Sequence, residues 1–438
     1  MSYKEYSEYK NSGVEWLGVI PSSWRILSAK RLFGNRRTVA DDADEQLAAS
    51  QKYGVIPQKL MIEKTGSKVA LALKGTGSFR KVHKNDFVIS LRSFEGGIEY
   101  SAYDGCISPA YTVLYPLKNI NVDYYRFLKK SSVFVSALQA TTDSLRDGKA
   151  INYEQYCCID LPFPSIEEQE CIASFLDCEI AKVDCLIGKQ EQLIEFLKEK
   201  RQAVISHSIT KGLNADVKMK YSGIEWLGDI PEHWNVIKFS YCVSIRSGLV
   251  DPKSEQYKKY WLIAPNHIQS GEGRILNLAT AEEQGAESSK YLCKKGEVIY
   301  SKIRPALAKV CISPGNNVLC SADMYPMTAR SGLTNDYLSW FLLSSIFTRF
   351  AVNQADRVAM PKINRESLAE CKIPFPGKSE QIEIAYYLQR ITKNLDDLIV
   401  KSQESIHLLK ERRSTLISAA VTGKIDVRKW QPDAKDVA

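Results

Sequence analysis

The sequence predicts an α+β protein built as a tandem duplication: a mixed α/β domain followed by a long helix, then a second such domain and helix, with the two helices paired as an antiparallel coiled coil. Two pairs of matching segments and one matched apolar stripe carry this prediction. Ser12-Gly-Val-Glu-Trp-Leu-Gly-Val-Ile-Pro21 with Trp24 returns as Ser222-Gly-Ile-Glu-Trp-Leu-Gly-Asp-Ile-Pro231 with Trp234, an offset of 210. Leu161-Pro-Phe-Pro164 with Glu168-Gln169 returns as Ile373-Pro-Phe-Pro376 with Glu380-Gln381, an offset of 212. Two matches at nearly one offset define a repeat of roughly 210 residues.

The helices follow from spacing. Ile172, Leu176, Ile180, Val183, Ile187, Ile194, Leu197 and Val204 step by the alternating threes and fours of a coiled-coil seam, with Gln190 and Arg201 in the gaps. Adding 212 gives Ile384, Leu388, Thr392, Leu395, Ile399, Ser402, Ile406, Leu409, Arg413 and Leu416, so the polar interruptions recur too. Ser165 with Glu168 reads as a capping box, Pro164 and Pro376 end the preceding extended segments, and Gly212 and Gly423 are C-terminal stops. Each helix is then about 44 residues, roughly 65 Å long, and a helix of that length with one apolar stripe needs a partner. Leu176, Val183, Ile187, Ile194 and Leu197 are expected to face Leu388, Leu395, Ile399, Ile406 and Leu409.

The mixed stretches carry short β-branched and aromatic runs at Phe87–Ser90, Tyr111–Tyr115 and Val298–Ser301, read as strands. Residues 124–138 and 337–352 have helical apolar spacing and are expected to form one helix in each domain. The resulting division is 1–160 for the first domain, 161–212 for its helix, 213–372 for the second domain, 373–425 for its helix and 426–438 for a tail. Trp16, Trp24, Trp226 and Trp234 sit in matching Gly- and Pro-punctuated segments beside the helix ends. They read as anchors locking domain to helix, with base-stacking platforms as the alternative. Arg201 and Arg413 fall on the seam, either as register-fixing polar residues or as contacts to a partner.

Composition limits the function. A 438-residue chain with 44% hydrophobic and 25% charged residues is globular. No run approaches the roughly 18 apolar residues of a membrane span, and the N-terminus has no secretory signal pattern, so a cytoplasmic location is expected. Eleven cysteines without a C-x-x-C pair read as reduced thiols rather than metal ligands or disulfides. Gly75-Thr-Gly77 is a turn rather than a phosphate cradle, and Pro432-Asp433 with Lys435 lacks the second acid of a nuclease site. No catalytic constellation or metal site is predicted.

The net charge of +8 is unevenly placed: residues 1–160 carry +5, residues 213–372 carry +4, and the helical segments with the tail carry −1. Antiparallel helices would put the two basic domains at opposite ends, related by a two-fold axis. Such an object suits duplex DNA, whose half-sites lie about one helical turn, roughly 34–36 Å, apart. Because the domains differ in sequence, a split asymmetric target is expected.

The Gly-x-Glu-Trp-Leu-Gly-x-Ile-Pro-x-x-Trp segment, the Pro-Phe-Pro-x-x-x-Glu-Gln element and the domain-helix-domain-helix order resemble the specificity subunit of Type I restriction-modification enzymes over essentially the whole chain. The resemblance implies two target recognition domains, helices that act as a ruler and dock two methyltransferase subunits, and a larger complex with restriction motor-endonuclease subunits. It also implies that this subunit is non-catalytic and binds no cofactor, S-adenosylmethionine, ATP and Mg belonging to its partners. Consistent with that, the sequence has neither an amino-methyltransferase Asn/Asp-Pro-Pro-Tyr/Phe motif nor a G-x-x-x-x-G-K-[ST] loop.

DNA contacts are expected where both repeats place basic residues in matching loops. Arg92 matches Lys302 and Arg304; Arg146, Lys149 and Asn152 match Arg357, Lys362 and Asn364. Asn152 and Asn364 fit helix caps equally well. Gln51 and Lys52, and Asn266 with His267, are further candidates. The competing reading is a coiled-coil scaffold presenting two protein-binding domains, which retardation of duplex DNA by the assembled complex would separate from it. A free-standing enzyme would need a nucleophile-base pair or metal cluster that the sequence does not offer.

Overall fold

A computed structural model describes residues 3–41, 43–66, 76–141, 151–355 and 361–432. The chain divides into two compact units, Met1–Gln190 with Glu404–Ala438, and Glu191–Gln403. Each unit therefore joins one mixed domain to parts of two long helices, Ile166–Lys211 and Lys378–Val421.

In the first unit, Tyr9–Asn11 and Val19–Pro21 form a hairpin whose loop is the Glu-Trp-Leu-Gly segment. Arg25–Ser28 then pairs antiparallel with Asp160–Phe163, so the two repeated segments meet. A four-stranded antiparallel sheet follows in the order Phe33–Arg36, Thr112–Pro116, Phe87–Ile89, Glu99–Tyr100. Two smaller pairs, Leu47–Ser50 with Gly54–Pro57 and Arg80–Val82 with Gly105–Ile107, flank it. The second unit repeats the plan. Asn235–Lys238 pairs with Lys372–Phe375, and the sheet runs Val243–Ile245, Met324–Ala329, Val298–Ser301, Val310–Ile312. Its flanking strands form a second four-stranded sheet, in which Trp261–Ile263 and Val318–Ser321 are parallel.

One expectation is corrected. The helix expected over 124–138 is two, Val122–Leu128 and Ser132–Ala140, and that over 337–352 is also two, Asn335–Leu343 and Ser345–Gln354. The break has the same cause in both. The Ser131 hydroxyl donates to the Leu128 carbonyl at 2.7 Å and accepts from Phe134 N–H at 3.3 Å. Ser344 does the same with Phe341 at 2.6 Å and Phe347 at 3.2 Å. A side chain that caps the next helix while satisfying the end of the last turns the chain without stranding a polar group.

The long helices run antiparallel in each unit. In the first, Ile172, Leu176 and Ile180 share a core with Leu416, Ile417, Ala420 and Val421. In the second, Ile205 and Ile209 share one with Ile384 and Leu388. Leu176, Val183, Ile194, Leu197, Leu388 and Leu395 are buried, and Ile187, Ile399, Ile406 and Leu409 half-buried, as a seam requires. The gap arginines are seam pins. Arg201 Nε donates to Asp396 Oδ1 at 3.0 Å in the second unit, and Arg413 Nε to Asp184 Oδ1 at 3.1 Å in the first. Both arginines and both aspartates are repeat counterparts at an offset of 212.

Domain and helix are fastened by the same atoms in each copy. Tyr124 donates to the Val421 carbonyl at 2.9 Å, and Tyr337 to that of Ile209 at 3.2 Å. Gln169 accepts from Asn121 N–H and donates to Pro164 O, while Gln381 accepts from Thr334 N–H and donates to Pro376 O. At the start of the first helix the Ser165 hydroxyl accepts from Glu168 N–H at 3.3 Å, while the Glu168 carboxylate accepts from the Tyr6 hydroxyl at 2.6 Å.

The four tryptophans divide into two kinds of anchor. Trp24 and Trp234, fully buried, pack on the long-helix ends. Trp16 instead meets Phe134 at 6.0 Å and Trp226 meets Phe350 at 5.3 Å, fixing each hairpin to a short helix of its own domain.

Gly423 ends the second long helix at φ 73°, and a Cβ there would lie 2.4 Å from Pro21 Cδ and 3.1 Å from the Trp24 ring. Gly423→Ala is therefore expected to cost about 1–3 kcal/mol, from left-handed strain and displacement of the Pro21 ring. Gly13, also at φ 73° but with nothing within 4 Å, supplies the strain-only control. Urea unfolding followed by tryptophan fluorescence reads both; equal losses would show that the Pro21 contact yields freely.

Of the cysteines, Cys293, Cys311 and Cys320 lie in one small apolar core. Burial pushes the Cys242 thiol up to about 11. Among the described residues no helix is long and apolar enough to cross a membrane.

Candidate nucleic-acid interface

The strand that matters most in each domain is the third of the four-stranded sheet. Phe87–Ile89 and Val298–Ser301 are preceded by tight turns at Asn85 (φ 75°) and Gly296 (φ 80°), each ending in a buried acid. Asp86 accepts from Arg36 Nε at 2.8 Å and Nη2 at 3.0 Å, and Glu297 pairs with Arg246. These ion pairs hold the near end of each strand, and pairing of Ile89 with Thr112 and of Ser301 with Met324 holds the far end.

Arg92 and Arg304 stand just past that far end. Arg92, exposed, opens a single helical turn, Ser93–Gly96, and is joined by Gln51, whose amide donates to the Arg92 carbonyl at 3.4 Å. Gln51, Lys52 and Arg92 line one cleft of about 830 Å³ with Ser90, Ser108 and Tyr111. The structure thus brings three sequence-predicted residues of the first domain together. The hydroxyls of Ser108 and Tyr111 were not among them, because they arrive from a strand turn whose position depends on sheet order.

In the second domain Lys302, Arg304 and Lys362 converge. Ile303 bridges to Lys362, the Arg304 N–H donates to Pro361 O at 2.7 Å, and the Ile363 N–H donates to Lys302 O at 2.9 Å. Lys302 Nζ lies 5.5 Å from the Tyr325 ring centre. Arg304 itself is left-handed, at φ 47° and ψ 60°. A residue with a Cβ holds that conformation only where its surroundings over-determine it, and such positions cluster at functional sites.

Ion pairing sorts the remaining cations. Arg126 bonds Asp177 at 2.7 Å, Lys130 bonds Glu99 at 2.6 Å and Lys238 bonds Glu370 at 2.9 Å. Burial of Glu99 pushes its carboxyl above the usual range, against the pull of Lys130. Lys52, Arg92, Lys302, Arg304 and Lys362, by contrast, have no carboxylate within ion-pair distance among the described residues. Arg349, exposed on the helix Ser345–Gln354, lines a cleft of about 520 Å³ with Ala306 and Leu307, next to the Arg304 turn. Its sequence position in an apolar-spaced helix gave no signal.

Asn152 and Asn364 are helix N-caps. Asn152 accepts from Gln155 N–H at 2.8 Å in a full capping box, and Asn364 from Ser367 N–H at 2.7 Å. His267 Nδ1 lies 3.2 Å from Ala264 N and 3.1 Å from Leu262 O, within its own turn. Arg146, Lys149, Arg357, Gly75, Asp433 and Lys435 lie outside the described residues.

The family profile of the Type I restriction modification DNA specificity domain matches residues 231–408. The chain is 29% identical to the EcoDI specificity subunit of Escherichia coli over 64% of its own length and 65% of that protein's. It is 25% identical to the MjaVIII specificity subunit of Methanocaldococcus jannaschii over 97% of both chains. Its fold is similar to the crystal structure of the HsdS subunit from Thermoanaerobacter tengcongensis, with a TM-score of 0.54 at 14% identity over 93% of this chain and 98% of that one. A chain from a structural study of type I R-M complex assembly gives a TM-score of 0.63, also at 14% identity, over 92% and 98%.

Proposed function

Because this chain belongs with the specificity subunits of Type I restriction-modification systems, whose DNA specificity domain it carries, we propose that each of its two domains reads one half of a split, asymmetric duplex target. The observation that supports this most is the placement of Arg92 and Arg304 past the same strand of two copies of one domain, in different surroundings. Arg92 shares a cleft with Gln51 and Lys52, whereas Arg304 sits in a strained turn with Lys302 and Lys362. One scaffold presenting two different sets of donors reads two different half-sites. The non-catalytic role rests on the relatives, named specificity subunits, and not on anything missing from the structure.

The long helices present matching outward apolar residues: Leu186 and its counterpart Leu398 are both 47% exposed, and Phe196 and its counterpart Leu408 are 66% and 64% exposed. Equivalent apolar points on two helices fit two copies of one partner, which we assign to methyltransferase subunits, with restriction motor-endonuclease subunits joining the complex. S-adenosylmethionine, ATP and Mg are then bound by those partners, in the cytoplasm where host DNA is reached.

Mapping of adenine methylation across the host genome, with the gene intact and deleted, tests the reading. One split motif should lose its methylation on deletion; no change in any motif would leave the scaffold reading in its place. Arg92→Ala and Lys362→Ala are each expected to weaken duplex binding by the assembled complex by about 1–3 kcal/mol where the contact is to a base. A base contact relaxes discrimination at one half-site only, whereas a phosphate contact weakens all duplexes alike, and gel retardation on single-base variants of the target distinguishes the two. Unchanged affinity and unchanged methylation would remove that residue from the interface.

A further inference from the structure

Arg201 is almost wholly buried on the first long helix, and each of its three guanidinium nitrogens donates a hydrogen bond within the second unit. Nε donates to Asp396 Oδ1 at 3.0 Å on the second long helix, Nη1 to the Gly271 carbonyl at 2.6 Å and Nη2 to the Glu272 carbonyl at 3.0 Å. The Gly271–Glu272 loop belongs to the domain, not to the helices. From there the connection continues: the Gly271 N–H donates to Ala308 O at 3.2 Å, and Lys309 Nζ to Pro265 O at 2.6 Å. Ala308 closes the turn that Arg304 opens, through Leu307 N–H to Arg304 O at 2.9 Å and Ala308 N–H to Pro305 O at 3.0 Å. Both ends of that turn, Arg304 at φ 47° and Ala308 at φ 41°, are left-handed, so the turn is held rigidly by its neighbours rather than by its own preference.

We propose that Arg201 is a positioning residue that registers the Arg304 turn against the helix pair, and so makes the complex sensitive to the number of base pairs between the two half-sites. This rests on the reading of function given above. An arginine suits the task because its planar fork aims several donors in fixed directions, which a lysine ammonium on a flexible stem does not. The repeat counterpart is different. Arg413 makes the matching helix pin to Asp184, with a side chain 39% exposed, but among the described residues it makes no hydrogen bond to a loop of the first domain. Among the described residues, only the second domain is clamped this way.

The test measures methyl transfer by the complex assembled with its methyltransferase, on duplexes carrying the genome-mapped target at native spacing and with one base pair added or removed. For Arg201→Met the preference for native spacing is expected to fall by about tenfold or more, because small misplacements of a reading group carry large penalties, while both half-sites remain required. Asp396→Asn, which keeps the two carbonyl bonds but removes the carboxylate charge to which Nε donates, should give a smaller fall in the same direction. Arg413→Met should leave the ratio as it is. Loss of folding alone lowers transfer on every duplex alike and leaves the ratio unmoved, so the ratio separates positioning from stability. Unchanged spacing preference in Asp396→Asn and in Arg201→Met, or in Asp396→Asn alone if Arg201→Met does not fold, overturns the proposal. A wild-type complex that methylates no split duplex defeats the functional reading instead.

Discussion

Trp234→Ala is expected to destabilise the second unit by about 3–5 kcal/mol, the range for truncating a fully buried tryptophan. The ring lies in the core formed by Ile205 and Ile209 of the first long helix and Ile384 and Leu388 of the second. It also lies under the helix-ending Gly212, whose added Cβ would come within 3.3 Å of it. Its Nε1 donates to Glu380 Oε2 at 2.9 Å, a carboxylate that also receives His233 at 3.0 Å. Removing the ring opens a cavity where domain and both helices meet and strips one donor from Glu380. Trp24 in the first unit is as deeply buried but its Nε1 has no hydrogen-bond partner among the described residues. Trp24→Phe is therefore expected to cost less than Trp234→Phe, since only the latter breaks a charge-assisted bond, worth roughly 1.5–3 kcal/mol. Hydrogen exchange resolves the two units where a single melting curve does not. For Trp234→Ala, faster exchange is expected within the second unit, including the helix ends near residues 205–211 and 384–388, and a loss below about 1 kcal/mol there would contradict the anchoring role.

These anchors were legible because they recur. The offset of 210–212 exposed the repeat, the repeat singled out Trp24 and Trp234, and the seam spacing named residues that are indeed buried or half-buried along both helices. Periodicity reports which face of a segment is apolar, however, not what that face meets. It therefore joined Tyr124 to Leu138 into one helix although Ser131 caps a new one, since apolar spacing continues across a turn that a single hydroxyl can close. The same limit governed the site. Arg92 and Arg304 were found by position after a strand, a local feature, and Lys362 by its Lys-x-Asn context. That Lys362 meets Ile303 across a bridge between segments some 60 residues apart follows from tertiary pairing alone. Arg201 was placed on the seam by spacing, but its two loop carbonyls are contributed by Gly271 and Glu272, about 70 residues away, and nothing in the local pattern announces them.

Lys129 shows the same limit with a thermodynamic consequence. In sequence it is one of a pair, Lys129-Lys130, at a helix end, where two solvated cations would be the natural reading. In the fold Lys130 pairs with Glu99, while Lys129 is fully buried, its Nζ 3.3 Å from the Phe33 ring centre and 3.7 Å from that of Phe87, with no hydrogen-bond partner among the described residues. The repeat counterpart, aligned through Tyr124 and Tyr337, is Leu342, also fully buried. Lys129→Leu is thus expected to stabilise the first unit by about 1–3 kcal/mol, the usual penalty for a buried polar group left unsatisfied. Burial drives the Lys129 ammonium well below its ordinary pKa, which sets the pH dependence. Between the lowered folded value and the unfolded value near 10.5, the unfolded chain binds more protons, so wild-type stability rises with pH through that window. The leucine variant lacks this rise. Its advantage should be largest at neutral or lower pH and shrink toward alkaline pH. Above about pH 10 the opposite contribution enters, because burial holds the hydroxyls of Tyr125 and Tyr156 in the same core above their ordinary pKa; they favour the neutral form, and their stabilisation is lost as the unfolded tyrosines ionise. Urea midpoints for wild type and Lys129→Leu at pH 7 and pH 9.5 therefore isolate the lysine. A gap between them that stays constant, or that widens with pH, would show that the Lys129 side chain keeps its proton in the fold, held by the faces of Phe33 and Phe87.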